Sequence, residues 1–271
     1  MESTLTQQEE LKSHVAAFWN NQPCGTHVVK GREFSREMSD EIERHRYTVE
    51  PEIHAFAQFT RMHGKKVLEV GVGAGTDFIQ WVRAGADANG IDLTNEGVDL
   101  VRRRLDVYGL KPESLQVADC ENIPFPDNTF DCVYSWGVIH HTADTPKAMR
   151  EIIRVCKPGG ICKVMIYNRH SLLTFFFWVQ HALLKGKPFR SFADVLWNHM
   201  ESIGTKAYTR AEAASMLKGQ PVTDIKIQPI TTYYDRLQRF SKAHQFIARI
   251  AECITGTNRF GWFLTMEFRK K

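Results

Sequence analysis

A chain of 271 residues is long enough to bury a large core in one or two domains, and its 43% apolar and 24% charged content is that of an ordinary globular protein. The net charge of +4 is mild, and apart from Arg102-Arg103-Arg104 and the basic end at Arg269 to Lys271 the Lys and Arg residues are scattered, which argues against a dedicated nucleic-acid surface. The six cysteines (24, 120, 132, 156, 162 and 253) make no C-x-x-C pair and no zinc-ligand spacing. Reduced, mostly buried thiols, a cytoplasmic location and no metal are therefore expected. The polar, acidic start, Met1 to His14, lacks the apolar segment of a signal peptide.

Residues 1–64 read as helical segments with loops between them. Leu11, Val15 and Phe18 stand near helical spacing, Asn20 to Gly25 is a turn cluster, and Pro51 opens a helix with the stripe Ile53, Phe56, Ala57 and Phe59. The charged stretch between them, which contains Arg46 and Tyr47, reads first as a solvated helix face.

The stretch Lys65 to Asp77 organises the rest. Val67, Leu68 and Val70 form a short apolar run carrying one acid, Glu69, and glycines follow at alternate positions, Gly71, Gly73 and Gly75. That is a buried parallel strand, a tight turn and a helix start, and glycine there lets a ligand approach the backbone closely. Ligands sit at such a crevice, beyond the carboxyl end of a strand in a doubly wound sheet. The spacing departs from the dinucleotide fingerprint, because Thr76 stands where its third glycine would be. The acid that follows, Asp77, is unhelpful beside a pyrophosphate but suited to an ammonium group.

A second strand at residues 88–92 ends in Asp92, with Leu93 beside it. A carboxylate there can accept two hydrogen bonds from a ribose diol. Capping helix 97–107 is its alternative task, but Thr94 or Asn95 can cap, so the ribose role is preferred. A third unit, Leu115 to Pro126, carries Asp119 and Cys120, and Asp131 anchors the turn into a fourth strand, Cys132 to Ser135. Trp136 and the pair His140-His141 follow that strand. Reactive groups collect at carboxyl ends of parallel strands, which favours a functional pair over a structural one. Ala148 to Val155 is a helix, and Lys157-Pro-Gly-Gly160 is expected to stop it and turn into a strand at Ile161 to Ile166, without chemistry.

Ser171 to Leu184 is the most apolar run and, at 14 residues, too short for an ordinary transmembrane helix. A core or cap helix buried all round is the leading interpretation. A wall for a lipophilic or aromatic substrate ranks next, and an interfacial helix helped by Lys185, Lys187 and Arg190 ranks last. Thr209 and Glu212 form a capping box, Val222 to Ile230 alternates like a strand, Arg236 to Ile254 has the stripe Leu237, Phe240, Phe246, Ile247 and Ile250, and Trp262 to Phe268 closes as a strand.

Over residues 65–167 the order, spacing and strand–helix context of these motifs resemble class I S-adenosylmethionine (SAM) dependent methyltransferases, of the sort that includes quinone-biosynthesis and natural-product enzymes. The resemblance implies an α/β fold, a Rossmann-like doubly wound seven-stranded sheet with its last strand antiparallel. SAM is the implied cofactor, with Glu69, Gly71, Gly73, Gly75 and Asp77 at its methionine end. Asp92 and Leu93 then serve the ribose, Asp119 and Cys120 the adenine, and Ser135 and Trp136 stand at the end of the fourth strand. His140 is the favoured base, with His141 second and Tyr167 as a further proton-handling group. Residues 1–64 become a helical lid that brings Arg46 and Tyr47 to the substrate. Residues 65–271 form the catalytic domain, with an inserted cap at 168–206 and a helical insertion at 231–259.

The implied activity is methyl transfer to an oxygen, nitrogen or carbon nucleophile of a small organic molecule, aromatic and lipophilic ones included, releasing S-adenosylhomocysteine. DNA is disfavoured: Ser135-Trp-Gly-Val stands where amino-methylating DNA enzymes carry Asn/Asp-Pro-Pro-aromatic, and the only Pro-Cys, Pro23-Cys24, lies outside the core. An RNA methyltransferase and a non-catalytic SAM-binding regulator are the alternatives.

Overall fold

A computed structural model describes residues 2–21, 25–29 and 34–271. Residues 22–24 of the expected turn cluster, which include the Pro23-Cys24 pair, lie outside the described residues. The N-terminal part is helical: α1 (Glu2–Asn21), α2 (Arg36–Val49) and α3 (Glu52–Ala57). Ser35 starts α2 by accepting the Met38 N–H at 3.1 Å.

Alternating units follow: β1 (Lys66–Val70), α4 (Thr76–Arg83), β2 (Asp87–Asp92), α5 (Asn95–Tyr108), β3 (Ser114–Val117), β4 (Phe130–Trp136), α6 (Thr145–Val155) and β5 (Cys156–Tyr167). The remainder comprises α7 (Leu172–His181), α8 (Phe192–His199), α9 (Arg210–Leu217), β6 (Val222–Ile230), α10 (Lys242–Thr255) and β7 (Phe263–Lys270). The seven strands lie in the order β3-β2-β1-β4-β5-β7-β6, with β7 antiparallel to both of its neighbours. The sequence expectation of a seven-stranded sheet with an antiparallel last strand holds.

Side chains alternate across the sheet as a two-residue period requires. Val67, Cys132, Tyr134, Met165 and Tyr167 join α4, α5 and the α7–α8 cap on one face. Leu68, Val70, Val133, Val164 and Ile166 meet α6 and α9 on the other. Chain order reverses between β1 and β4, and a crevice opens there at their carboxyl ends.

Three expectations change. Lys157 to Gly160 is not a turn before the strand: β5 begins at Cys156, and the four residues are a bulge, since pairing jumps from Phe130↔Cys156 to Cys132↔Ile161. The apolar helix α7 is not buried all round, because only Leu173 and Thr174 are buried and Phe175 is exposed. The stripe expected from Arg236 onward does not form one helix. Residues 232–240 fold as turns on the Asp235 carboxylate, which accepts the Thr232 and Trp262 N–H groups at 2.9 and 2.7 Å, and α10 starts only at Lys242.

One cation joins the glycine turn to the N-terminal helices. Arg104 of α5 is fully buried and donates to the Ala74 carbonyl, to Thr76 Oγ1 at 3.1 Å and to the Ser39 carbonyl of α2 at 3.0 Å. Removing it strands buried acceptors, each costing about 1–3 kcal/mol. Arg104→Met is therefore expected to lower unfolding stability by roughly 2–4 kcal/mol in chemical denaturation, and a change below about 0.5 kcal/mol would refute this role.

Candidate active site

The glycine turn is built for close approach. Gly71 has φ +80, and a Cβ there would stand 2.3 Å from Val138 Cγ2. Its neighbour Gly73 donates its N–H to Asp92 Oδ2 at 2.8 Å. The other Asp92 oxygen accepts the Thr94 N–H at 2.9 Å and hydroxyl at 2.7 Å, and Thr94 in turn caps α5 through Gly97. Asp92 thus holds the turn and the start of the next helix together while lining the crevice.

A cavity of about 390 Å³ runs from this turn to the cap. Glu69, Gly71, Gly73, Asp77, Asp92, Leu93, Asp119, Cys120, Trp136, His141 and Tyr167 all line it, as does Arg46. Four residues expected in the site stand elsewhere. Gly75 caps α4 and faces Val101. Ser135 is buried and donates to the Val70 carbonyl at 3.2 Å. Tyr47 is not part of the cavity lining; its hydroxyl donates to Asp77 Oδ1 at 3.0 Å. His140 is fully buried outside the lining, packed on Tyr167 with ring centroids 3.9 Å apart, and neither ring nitrogen has a hydrogen-bond partner among the described residues. Burial, and then His141 and Lys206, hold it well below the ordinary imidazole range. Of the two histidines on the short helical turn Ile139–His141, only the second lines the cavity.

At the β1 end, acids outnumber cations. Glu69, Asp77 and Glu50 line the cavity, and Arg46 donates to Glu50 Oε1 at 3.0 Å. Tyr134 donates to Asp77 Oδ2 at 2.8 Å, and Trp136 Nε1 donates to Glu50 Oε2 at 2.7 Å. Glu69 Oε2 is buried with no partner among the described residues. Burial first, then the Asp77 carboxylate, push Glu69 well above the usual carboxylate range. The Trp81 indole beside it offsets this only in part, so a cation or a proton is favoured at the unpartnered oxygen.

At the opposite end stands a group the sequence did not signal. Lys12 of α1 reaches Asp119 Oδ2 at 2.6 Å and Glu121 Oε2 at 2.7 Å, while Asp119 Oδ1 accepts the Glu121 N–H at 2.8 Å. Burial opposes the charge, but the two carboxylates together raise the Lys12 ammonium above its ordinary value. Trp19, also from α1, sets its ring edge-on to His141 at 5.4 Å.

Beneath the cap, His141, Glu201 and Tyr167 meet. Tyr167 donates to the Glu201 carboxylate at 3.0 and 3.1 Å from its two oxygens. His141 Nδ1 lies 3.1 Å from both Ser202 Oγ and Thr205 Oγ1. Because the Thr205 hydroxyl already donates to the Ser202 carbonyl at 2.7 Å, its oxygen can only accept from the ring. That assigns the proton to Nδ1 and leaves the Nε2 lone pair free, buried beside Glu201 at the cavity wall. Nε2 is 3.3 Å from Glu201 Oε2, close enough for an ion pair but not aligned as a hydrogen bond. Glu201 lies in the left-handed region at φ 44, after α8, where no motif marks it.

Residues 68–164 match the family model described as a methyltransferase domain. The chain is 34% identical over 125 residues to a fatty-acid O-methyltransferase of Mycolicibacterium smegmatis, covering 45% of this chain and 44% of that one. It is 33% identical over 116 residues to a phosphatidylethanolamine N-methyltransferase of Cereibacter sphaeroides, covering 42% and 56%. The chain therefore spans about half the length of these curated relatives. In fold it is similar to a phosphoethanolamine N-methyltransferase of Haemonchus contortus solved with S-adenosylhomocysteine, with a TM-score of 0.54 at 18% identity over 79% of this chain and 52% of that one. The match to a methyltransferase domain thus covers residues 68–164, and SAM, whose demethylated product is bound in the structural neighbour, is the molecule to set against the site. The cavity fits that molecule's cationic end at the orphaned Glu69 oxygen and its close approach at Gly71.

This fit has a pH signature. A cation set against Glu69 draws down its raised carboxyl affinity for protons, so binding releases a proton and tightens as pH rises. Calorimetry of SAM binding between about pH 6 and pH 8, in buffers of different ionisation enthalpy, is expected to show proton release, with affinity falling toward acid. Glu69→Gln should weaken binding roughly tenfold and flatten the dependence; a flat wild-type profile with equal heats in both buffers would remove Glu69 from the site.

Proposed function

We propose that this protein transfers the SAM methyl group to an oxygen, nitrogen or carbon nucleophile of a small organic molecule with an apolar or aromatic body. The observation that carries the reading is the pair His141 Nε2 and Glu201 Oε2, two acceptors 3.3 Å apart at the wall of a largely apolar cavity. Two facing acceptors have room for one shared proton, which an acceptor hydroxyl or amine supplies. Leu173, Phe177, Met200 and Phe240 line the same space and suit an apolar body.

When bound, SAM supplies a sulfonium-activated methyl group, whose carbon–sulfur bond breaks as the bond to the nucleophile forms. His141 Nε2 accepts the proton that the nucleophile loses, Glu201 stabilises the resulting imidazolium, and Tyr167 fixes the carboxylate. Glu69 and Asp77 meet the amino-acid end, Asp92 the ribose and Asp119 the adenine. The chain's remaining task is to hold donor and acceptor in line and to keep water out. Residues 15–60, 168–206 and 231–259 are assigned the choice of acceptor. The fatty-acid and phosphatidylethanolamine enzymes among the relatives support an amphiphilic one. A cytoplasmic location is supported by the five described cysteines, which are all free thiols.

S-adenosylhomocysteine release against pools of phenols and quinols, amines, fatty acids and isoprenoid lipids, and total RNA tests the reading. Turnover is expected with a small-molecule pool; release with RNA alone would overturn it. His141→Phe should keep SAM affinity within about twofold yet lower kcat by about 100-fold or more, whereas His140→Phe should retain most turnover. The reverse pattern would return the proton to His140.

A further inference from the structure

Helix α10 is amphipathic with its faces inverted. Its inward side carries His244, Gln245, Ala248, Ala251 and Glu252, of which only Ala248 is buried. Glu252 is drawn inward by Arg236 at 3.1 Å. The outward side carries Phe246, Ile247, Ile250 and Ile254, exposed by 64, 64, 44 and 80%. At helical spacing these four fall within an arc of about 100°, bordered by exposed Lys242 and Arg249. No acid stands on that outward side. A soluble helix turns its apolar stripe to the core; this one turns it away.

A second exposed element shares the character. After α7, Leu184 and Phe189 are exposed by 74 and 100% and alternate with Lys185 and Lys187. The two elements adjoin through Phe176 of α7, whose ring lies 4.9 Å from Phe240 and 5.9 Å from His244. Phe240, 41% exposed, also lines the catalytic cavity, so the apolar surface continues to the cavity's rim. Residues 172–199 and 236–256 together hold seven Lys/Arg against two acids, in a chain whose whole net charge is +4. The positive balance of the protein is concentrated here.

We propose that α10, with the segment after α7, docks on the surface of an anionic lipid bilayer, laying Phe246, Ile247, Ile250 and Ile254 among the acyl chains beneath the headgroups while Lys242 and Arg249 meet lipid phosphates. Exposed aliphatic and aromatic residues bordered by cations are what an interfacial helix needs. A second copy of the chain fits less well, because a twofold contact over this face would oppose Lys242 and Arg249 with their own copies and supply no acid. No helix among the described residues is long and apolar enough to cross the membrane, which leaves surface attachment. The acceptor would then be drawn from lipid at the cavity rim. That step rests on the methyl-transfer reading, whereas the docking itself does not.

Flotation of the full chain with phosphatidylcholine vesicles, with and without about one-third phosphatidylglycerol, tests docking without reference to activity. Binding to the anionic vesicles, weakened by salt, is expected. Lys242→Gln with Arg249→Gln should lower the partition roughly thirtyfold, and Ile247→Glu with Ile250→Glu should bring it to background, with SAM affinity retained as the check on folding. Absence of flotation with either vesicle, or equal flotation of wild type and the Ile247→Glu/Ile250→Glu variant, would overturn the proposal. So would a wild-type dimer that the same double variant converts to monomer, since a second copy would then cover the face.

Discussion

Uncompensated negative charge at the end of β1 is the constraint on which the rest of the site depends. Glu69, Asp77 and Glu50 are all buried there. Tyr47, Tyr134, Trp136 and Tyr234 are spent on satisfying two of them, and Arg46 supplies the cation. Burying carboxylates costs several kcal/mol each unless they are paired or protonated. The arrangement is therefore stable only because α2, β4 and the turns at residues 232–240 bring donors to it, and its residual deficit leaves a place that favours a positive charge. The donors that make burial tolerable for Asp77 and Glu50 leave Glu69 as the position where a positive charge would be most favourable.

The sheet and the glycine turn were legible because their causes are local. A short apolar run, glycines that must take positive φ and acids at strand ends are all written within a few residues of one another. The same holds for the capping box at Thr209, where Glu212 donates nothing but accepts the Thr209 N–H at 2.7 Å. What the sequence could not show is which group crosses to another element. Lys12 meets Asp119 from over a hundred residues away, and Glu201 meets Tyr167 from 34. Adjacency also concealed the difference between His140 and His141, since one residue of rotation in a tight helical turn exchanges core for cavity.

Periodicity misled in one respect that carries a general lesson. The stripe along Phe246, Ile247 and Ile250 correctly signals an amphipathic helix, but a helical period has no sign: it states that one face is apolar, not that this face looks inward. Arg236 and the turn on Asp235 decide the matter by drawing Glu252 to the protein side. For α7 the case is similar. Its apolar run measures hydrophobicity without saying whether neighbouring elements suffice to cover it, and here they cover only part.

The placing of β7 between β5 and β6 has a consequence for how the chain reaches its fold. Tyr167 pairs with Phe263 and Ile161 with Arg269, so one ladder is closed across the entire cap. Bringing such distant segments together pays its loop entropy before any contact repays it, which slows the step. Until residues 263–270 insert, β5 presents an open edge next to Val164 and Ile166, the kind of template on which chains pair wrongly. The cap and the sheet therefore mature together, and a chain shortened before Phe263 would lose an interior strand rather than a frayed end.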